Sequence, residues 1–315
     1  MVSPRGRQRL QVTAGGFEYL VKSPQTRPKF SPGPVLWACL IYILGLALAF
    51  FYVHPEKVYI ETENIQVPEV SLFPVLGYFL GVVAVVGLIL FFIPVNRLRL
   101  ALKALFGFFY AWGLFIILAL FLPSSASIGI AVAIGIIWFI FPFIWLQNLL
   151  LLVTLVSIGA VFGAMISPWT VMYLLLALSV YDVVAVFAGY MMWLAKKLSE
   201  ADTLPAFILP GNLFHWGVNL KGATVQKLFL QESAEREFSL LGGGDIGFPL
   251  VFVVSVFFAY NFASAILVAG ASLVGLVLAY ILQIYLLKGK PMPALPPISL
   301  MAIAGFLIVH FLRPF

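Results

Sequence analysis

Two carboxylates stand apart from every other ionisable group in the chain. Asp182 lies in the apolar stretch Leu174-Leu-Leu-Ala-Leu-Ser-Val-Tyr-Asp-Val-Val-Ala-Val-Phe187, and Asp245 closes a glycine run, Leu241-Gly-Gly-Gly-Asp-Ile-Gly247. The other ten acidic residues, Glu18, Glu56, Glu61, Glu63, Glu69, Glu200, Asp202, Glu232, Glu235 and Glu237, all fall in the polar tail or in loops. A carboxylate at the centre of a bilayer helix costs about 2.5–3.5 kcal/mol on insertion scales, so two of them require a reason. Two carboxyls held a few ångströms apart cannot both ionise readily, and the pair shares a proton. That state suits hydrolysis. The ionised member draws a proton from water while the protonated member polarises a peptide carbonyl, giving a tetrahedral diol with no covalent link to the protein.

The neighbouring residues fit such chemistry. Gly242, Gly243 and Gly244 each weaken a helix by about 1 kcal/mol relative to alanine, so together they are expected to open the backbone beside Asp245. Bare backbone next to an acid lets a peptide approach closely. Pro249 loosens the following turn. Unwound backbone at this depth is tolerated only where it lines a wet cavity. The segment Pro291-Met-Pro-Ala-Leu-Pro-Pro297 is expected to be irregular, and either to dip toward the aspartates or to offer strand-like pairing to an extended substrate.

The elements that must position these groups are membrane spans. The chain is 63% hydrophobic and 10% charged, with a mean hydropathy of +1.10, whereas a soluble domain carries roughly a quarter charged residues. Spans of about 20 apolar residues are expected at 35–53, 72–93, 104–122, 126–146, 149–166, 170–195, 238–260, 262–287 and 296–312. Only Gln147 and Asn148 separate the fourth from the fifth. The fold class is therefore all-α and polytopic, with nine transmembrane helices. With the N-terminus inside, sixteen of the 18 Lys and Arg residues fall on the interior side, leaving Lys57 and Arg313 outside. That asymmetry predicts N-in and C-out.

Residues 1–34 form a basic cytoplasmic tail, 35–315 the membrane domain, and 196–237 a cytoplasmic loop between the sixth and seventh spans. The late first span and the lack of a small-residue cleavage site argue against a cleaved signal peptide. Cys39 is the single cysteine, so neither an internal disulfide nor a cysteine metal cluster can form. The net charge of +6 reads as topology, since no basic stripe interleaves with aromatics as a nucleic-acid surface would require. Gly77-xxx-Gly81 and Gly159-xxx-Gly163 suit close helix packing.

In the N-in topology, Asp182 lies about 20 Å and Asp245 about 22 Å from the outer ends of the antiparallel sixth and seventh spans. Their depths agree within one turn, so the carboxyls can face each other.

These features together resemble the presenilin family, the intramembrane aspartyl proteases that include the catalytic subunit of γ-secretase and the signal peptide peptidases. The Tyr-Asp motif matches Tyr181-Asp182, the Gly-x-Gly-Asp motif Gly242-Gly243-Gly244-Asp245, and the Pro-Ala-Leu motif Pro293-Ala294-Leu295. Nine spans with a long loop after the sixth also agree. The resemblance implies that Asp182 and Asp245 are the catalytic pair and that Tyr181, Gly242, Gly243, Gly244, Pro293, Ala294 and Leu295 shape the active site.

It further implies an intramembrane-cleaving aspartic endopeptidase acting on transmembrane-helix proteins within the lipid bilayer, with no cofactor and no metal. The N-in orientation resembles the presenilin branch, whereas Pro249 resembles the peptidase branch. Brevity suggests a compact, microbial, stand-alone or homo-oligomeric homologue, with no accessory subunits implied. Its place would be the cell membrane in a prokaryote or an endomembrane in a eukaryote.

Other chemistries fit less well. No His-Glu-x-x-His marks a zinc protease, and no Gly-x-Ser-Gly a rhomboid-type serine protease. A channel or proton-coupled transporter would also place paired acids at broken helices, but it does not predict Pro-Ala-Leu. Tyr181 reads as a packing aromatic, His54 and His215 as solvated loop residues, and His310 as an interfacial residue.

Overall fold

The computed structural model describes residues 33–65, 67, 70–211, 213–220, 238–287 and 292–312. The chain forms α1 (Gly33–Thr62), α2 (Leu72–Phe92), α3 (Val95–Leu118), α4 (Ser124–Ile140), α5 (Ile144–Met165), α6 (Pro168–Phe187) and α7 (Tyr190–Glu200). Then follow β1 (Ala206–Pro210), a 3₁₀ turn (Leu213–Gly217), β2 (Phe238–Gly242), α8 (Gly243–Ala259), α9 (Phe262–Tyr285) and α10 (Leu295–Leu312). Among the described residues six helices, α1, α2, α3, α5, α6 and α9, are long and apolar enough to cross a membrane. Three shorter apolar helices, α4, α8 and α10, occupy the remaining expected spans. Most of the N-terminal tail and the stretches 221–237 and 288–291 lie outside the described residues, and with them Pro291 and eleven of the sixteen interior lysines and arginines.

Helix α5 is the hub. It packs along α8 and also meets α1, α3 and β1. Small residues allow the close approach that helices in lipid need, where burial of apolar surface from water does not drive association. A Cβ on Gly163 would lie 2.5 Å from Cγ1 of Val254, and a Cβ on Gly159 would run into Leu250. Among the described residues the expected contact at Gly77-xxx-Gly81 is not made, since nothing lies within 4 Å of a Cβ at either position. Helix α2 buries only Leu90 within the chain and turns large side chains such as Phe73 and Phe92 outward.

Several boundaries depart from the sequence expectation: α1 runs on to Thr62 rather than ending at 53, and α3 begins at Val95 rather than at 104. The break between the fourth and fifth spans comes at Phe141-Pro142-Phe143, because proline lacks an N–H and disfavours helix at the preceding residue. Gln147 and Asn148 therefore lie inside α5 and are buried. The sixth span stops at Phe187, where Gly189 takes a left-handed φ of +76° that glycine adopts without steric cost, and α7 restarts beyond it. The expected seventh span begins as strand, not helix: β2 pairs antiparallel with β1, Ile208 opposite Leu240, so part of the interior loop is ordered. Finally, Leu295-Pro-Pro297 is helical, because prolines in a first turn displace only N–H groups that have no intrahelical partner.

The loop carboxylate Asp202 is buried and ion-paired with Arg99, which joins the start of α3 to the segment after α7. His54 lies exposed within α1 rather than in a loop. His215 is half-buried against Phe238. His310 shares a 3.1 Å hydrogen bond with the Tyr260 hydroxyl.

Candidate active site

Asp245 sits in the first turn of α8. Gly242 caps this helix with an extended backbone (φ −59°, ψ 140°), and its N–H donates to the Asp245 carboxylate. A carboxylate at the third helical position reaching back to the capping N–H satisfies a donor that the helix leaves unpaired. The positive end of the helix dipole favours negative charge there. The glycines thus act differently from a simple softening of a long span. They mark the switch from strand to helix, and the helix begins at the acid. Pro249 has no N–H for the Asp245 carbonyl four residues back, so that carbonyl lacks its usual intrahelical donor.

Asp182 lies on the buried face of α6, 8% exposed, held in a regular helix that Ser167 caps by accepting the Thr170 N–H at 3.3 Å. One Asp182 carboxylate oxygen accepts the backbone N–H of Leu295 at 3.3 Å. Leu295 opens α10, so this acid too faces a helix N-terminus. Pro293 and Ala294 form the irregular lead-in that delivers the N–H. Asp182 also lies close enough for its charge to act directly on Asp245. The structure therefore brings together Asp182, Asp245, the Gly242–Gly244 turn and Leu295.

Tyr181 points to the rim. Its ring meets Phe79 of α2 edge-on at 6.0 Å, and Phe79 meets Phe248 of α8 at 5.6 Å. Those two phenylalanines were not singled out from sequence, where they are ordinary members of apolar runs. Gly244 is exposed beside the half-buried Asp245, leaving an opening at the acid. Tyr280 of α9 is also near: its buried hydroxyl lies beside Ser239 and Asp245 without a well-formed hydrogen bond among the described residues. No group of three or more His, Cys, Asp or Glu among the described residues comes together as a metal site.

The arrangement sets two carboxyls within electrostatic reach of each other beside the exposed backbone of Gly244. Among the described residues β2 pairs only with β1, and it leads straight into Gly242 and the helix that carries Asp245.

A family model described as signal-peptide peptidase, presenilin aspartyl protease matches residues 40–313. No curated protein is significantly similar in sequence. Among solved structures, a presenilin family intramembrane aspartate protease superposes with a TM-score of 0.59 at 20% identity, covering 89% of this chain and all of the other. A second crystal form of such a protease gives 0.55 at 22% identity, covering 89% of this chain and 98% of the other. At that identity the likeness is one of fold.

Proposed function

Because the chain belongs to the signal-peptide peptidase, presenilin aspartyl protease family, we propose that it hydrolyses peptide bonds within transmembrane segments of other membrane proteins, with Asp182 and Asp245 as the catalytic pair of a Gly-x-Gly-Asp enzyme. The observation that carries this reading is the meeting of two carboxyls at two helix N-termini inside an apolar bundle. Nine spans with the N-terminus inside and the C-terminus outside place the pair toward the interior side of the bilayer. Residues 35–315 act as one membrane domain, 1–34 as a tail, and 196–237 as an interior segment. The chain works as a stand-alone enzyme or homo-oligomer, without a metal or cofactor.

A peptide bond inside a helix is shielded, so the substrate must be extended at the site. The edge of β2 that is not paired with β1 and, among the described residues, has no other strand beside it offers backbone hydrogen bonds next to the Gly242 turn. Tyr181, Gly242, Gly243, Gly244, Pro293, Ala294 and Leu295 shape the cleft around it.

In the reaction, the ionised aspartate takes a proton from water as the water oxygen bonds to the scissile carbonyl carbon. The protonated aspartate gives its proton to the carbonyl oxygen, forming a diol. The diol then collapses, the C–N bond breaks, and the amine leaves with a proton returned from the pair. One acid must be charged and the other neutral, so the rate against pH is bell-shaped, and its two limbs belong to the pair rather than to either residue.

The test uses purified full-length protein in liposomes with a single-span substrate. Asp182→Asn and Asp245→Asn should each abolish cleavage while the protein remains folded. Cleavage that persists in both variants would falsify the assignment, and ion flux lost with the same substitutions, without any cleavage, would make the protein a transporter.

A further inference from the structure

The amide pair Gln147-Asn148 interrupts the apolar run 126–166, and it occupies an unexpected place. Both side chains are buried, at 2% and 4% exposure, near the start of α5. Apolar helices in lipid rarely carry two adjacent amides without a partner, since burying an amide unpaired costs several kcal/mol in an environment that offers no hydrogen bonds. Here every group is used. Asn148 donates from Nδ2 to the Ile208 carbonyl at 2.8 Å and accepts the Ile208 N–H on Oδ1 at 3.0 Å. Gln147 donates to the Leu204 carbonyl at 2.9 Å and to the Tyr110 hydroxyl at 2.7 Å, and accepts from the Trp138 indole N–H at 2.7 Å.

The two amides thus grip the chain at residues 204 and 208, either side of the start of β1. Asn148 reproduces, with one side chain, the paired N–H and C=O that a neighbouring strand would offer to Ile208. That closes the outer edge of β1 at this point, on the side away from its partner Leu240. Between the two grips, the Pro205 carbonyl accepts the N–H of Gly243 at 2.9 Å, the first residue of the helix that carries Asp245. The link therefore runs from α5 through residues 204–208 to Gly243 and, two residues on, to Asp245. β2 is tied to the same strand, so the open substrate edge and the acid share one anchor.

We infer that Gln147 and Asn148 are positioning residues that set the height of Asp245 against the β2 edge, and hence which peptide bond of a bound substrate is cut. This rests on the catalytic reading of the two aspartates. A shift of the strand by a fraction of a residue would move the edge that holds the substrate and pull on the Gly243 turn, whereas Asp182 and the body of α8, packed independently along α5, would stay in place. The expected signature is a change in turnover and in product ends, with substrate affinity little altered.

The test centres on Asn148→Asp, which keeps the shape. Its ionised carboxylate can accept the Ile208 N–H but repels the Ile208 carbonyl; once protonated it regains a donor and reproduces the asparagine. Wild-type and variant protein are compared in liposomes across pH, with kinetics and mass spectrometry of product ends. The expected result is a kcat lowered by about ten- to hundredfold at high pH with KM nearly unchanged and product ends spread to neighbouring bonds, and a variant-to-wild-type ratio that climbs as pH falls. Unfolding midpoints are read on the same samples, because protonation would relieve a loosened fold as well; shifted product ends in protein that is still folded are what a merely structural role would not give. Asn148→Ser, which keeps a small donor and acceptor, serves if the aspartate variant does not fold, and should broaden the product ends. A folded variant of either kind that cuts at the wild-type bond with wild-type kcat overturns the inference. If Asp182→Asn and Asp245→Asn also cut normally, it is the catalytic reading that fails; if they are dead while the Asn148 variants are normal, the positioning role alone fails.

Discussion

At the residue scale, the two glycines before Asp245 have different tasks. Gly243 is buried, and a Cβ there would sit 3.2 Å from the Pro205 carbonyl oxygen and near Leu151 and Leu155, groups that hold the turn in place. Gly244 is exposed, and its Cβ would meet only the Phe248 ring at 3.2 Å. Gly243→Ala should therefore lower the thermal unfolding midpoint in detergent. Gly244→Ala should leave the midpoint unchanged or higher, since alanine favours helix over glycine by about 1 kcal/mol, yet reduce cleavage by about tenfold or more because the methyl occupies the substrate's approach. A Gly244→Ala enzyme with full activity would show that the peptide approaches from elsewhere. Leu295 belongs to the same scale: its contribution to Asp182 is a backbone N–H, so side-chain substitution there tests packing and leaves the hydrogen bond in place.

At the element scale, α8 is secured at both ends. Its N-terminus is anchored through Gly243 to Pro205. At its C-terminus, Lys57 of α1 donates to the Phe257 carbonyl at 2.8 Å and lies 5.0 Å over the Phe257 ring. A cation at that end satisfies a terminal carbonyl and matches the negative pole of the helix. Lys57→Met should cost about 1 kcal/mol in detergent unfolding, with the site geometry and KM preserved. The Arg99–Asp202 pair holds the start of α3 to the entry of β1. With Asp202 buried and Arg99 half-exposed, Arg99→Ala should destabilise by about 1.5–3 kcal/mol, and the loss should appear in hydrogen exchange of residues 198–210 before it appears in the rest of the bundle.

At the scale of the whole molecule, the charge asymmetry and the bundle make a joint prediction. With Cys39→Ser as background, single cysteines at His54 and at Lys196 should label from opposite sides of the membrane: His54→Cys from outside and Lys196→Cys from inside. Labelling of both from one side would break the proposed topology and, with it, the placement of the acids toward the interior. The bundle also leaves α2 nearly free. Among the described residues it touches α6 and α7, and its Phe79 meets Tyr181 and Phe248 at the site. By contrast, the α5–α8 contact is tight enough that Gly159 and Gly163 admit no Cβ without movement. Rigid and loosely attached parts of the molecule therefore meet at the aspartates.

The sequence by itself determined the class of protein, the approximate positions of its apolar helices and the two acids, because those follow from local signals: runs of apolar residues, charge asymmetry, and the cost of a carboxylate in lipid. The motifs around Asp182, Asp245 and Leu295 were legible for the same reason. What the tertiary structure alone decided was how the acids are held. Glycine and proline patterns say where a helix is weak, but not that residues 238–242 would find a partner strand in 206–210, since strand pairing depends on long-range contacts that no window of sequence contains. Nor could the pattern show that Gln147 and Asn148, which look like a gap between two spans, lie buried within one helix and grip that strand. A buried amide is explained by its partners, and the backbone partners at Leu204 and Ile208 are about 60 residues away.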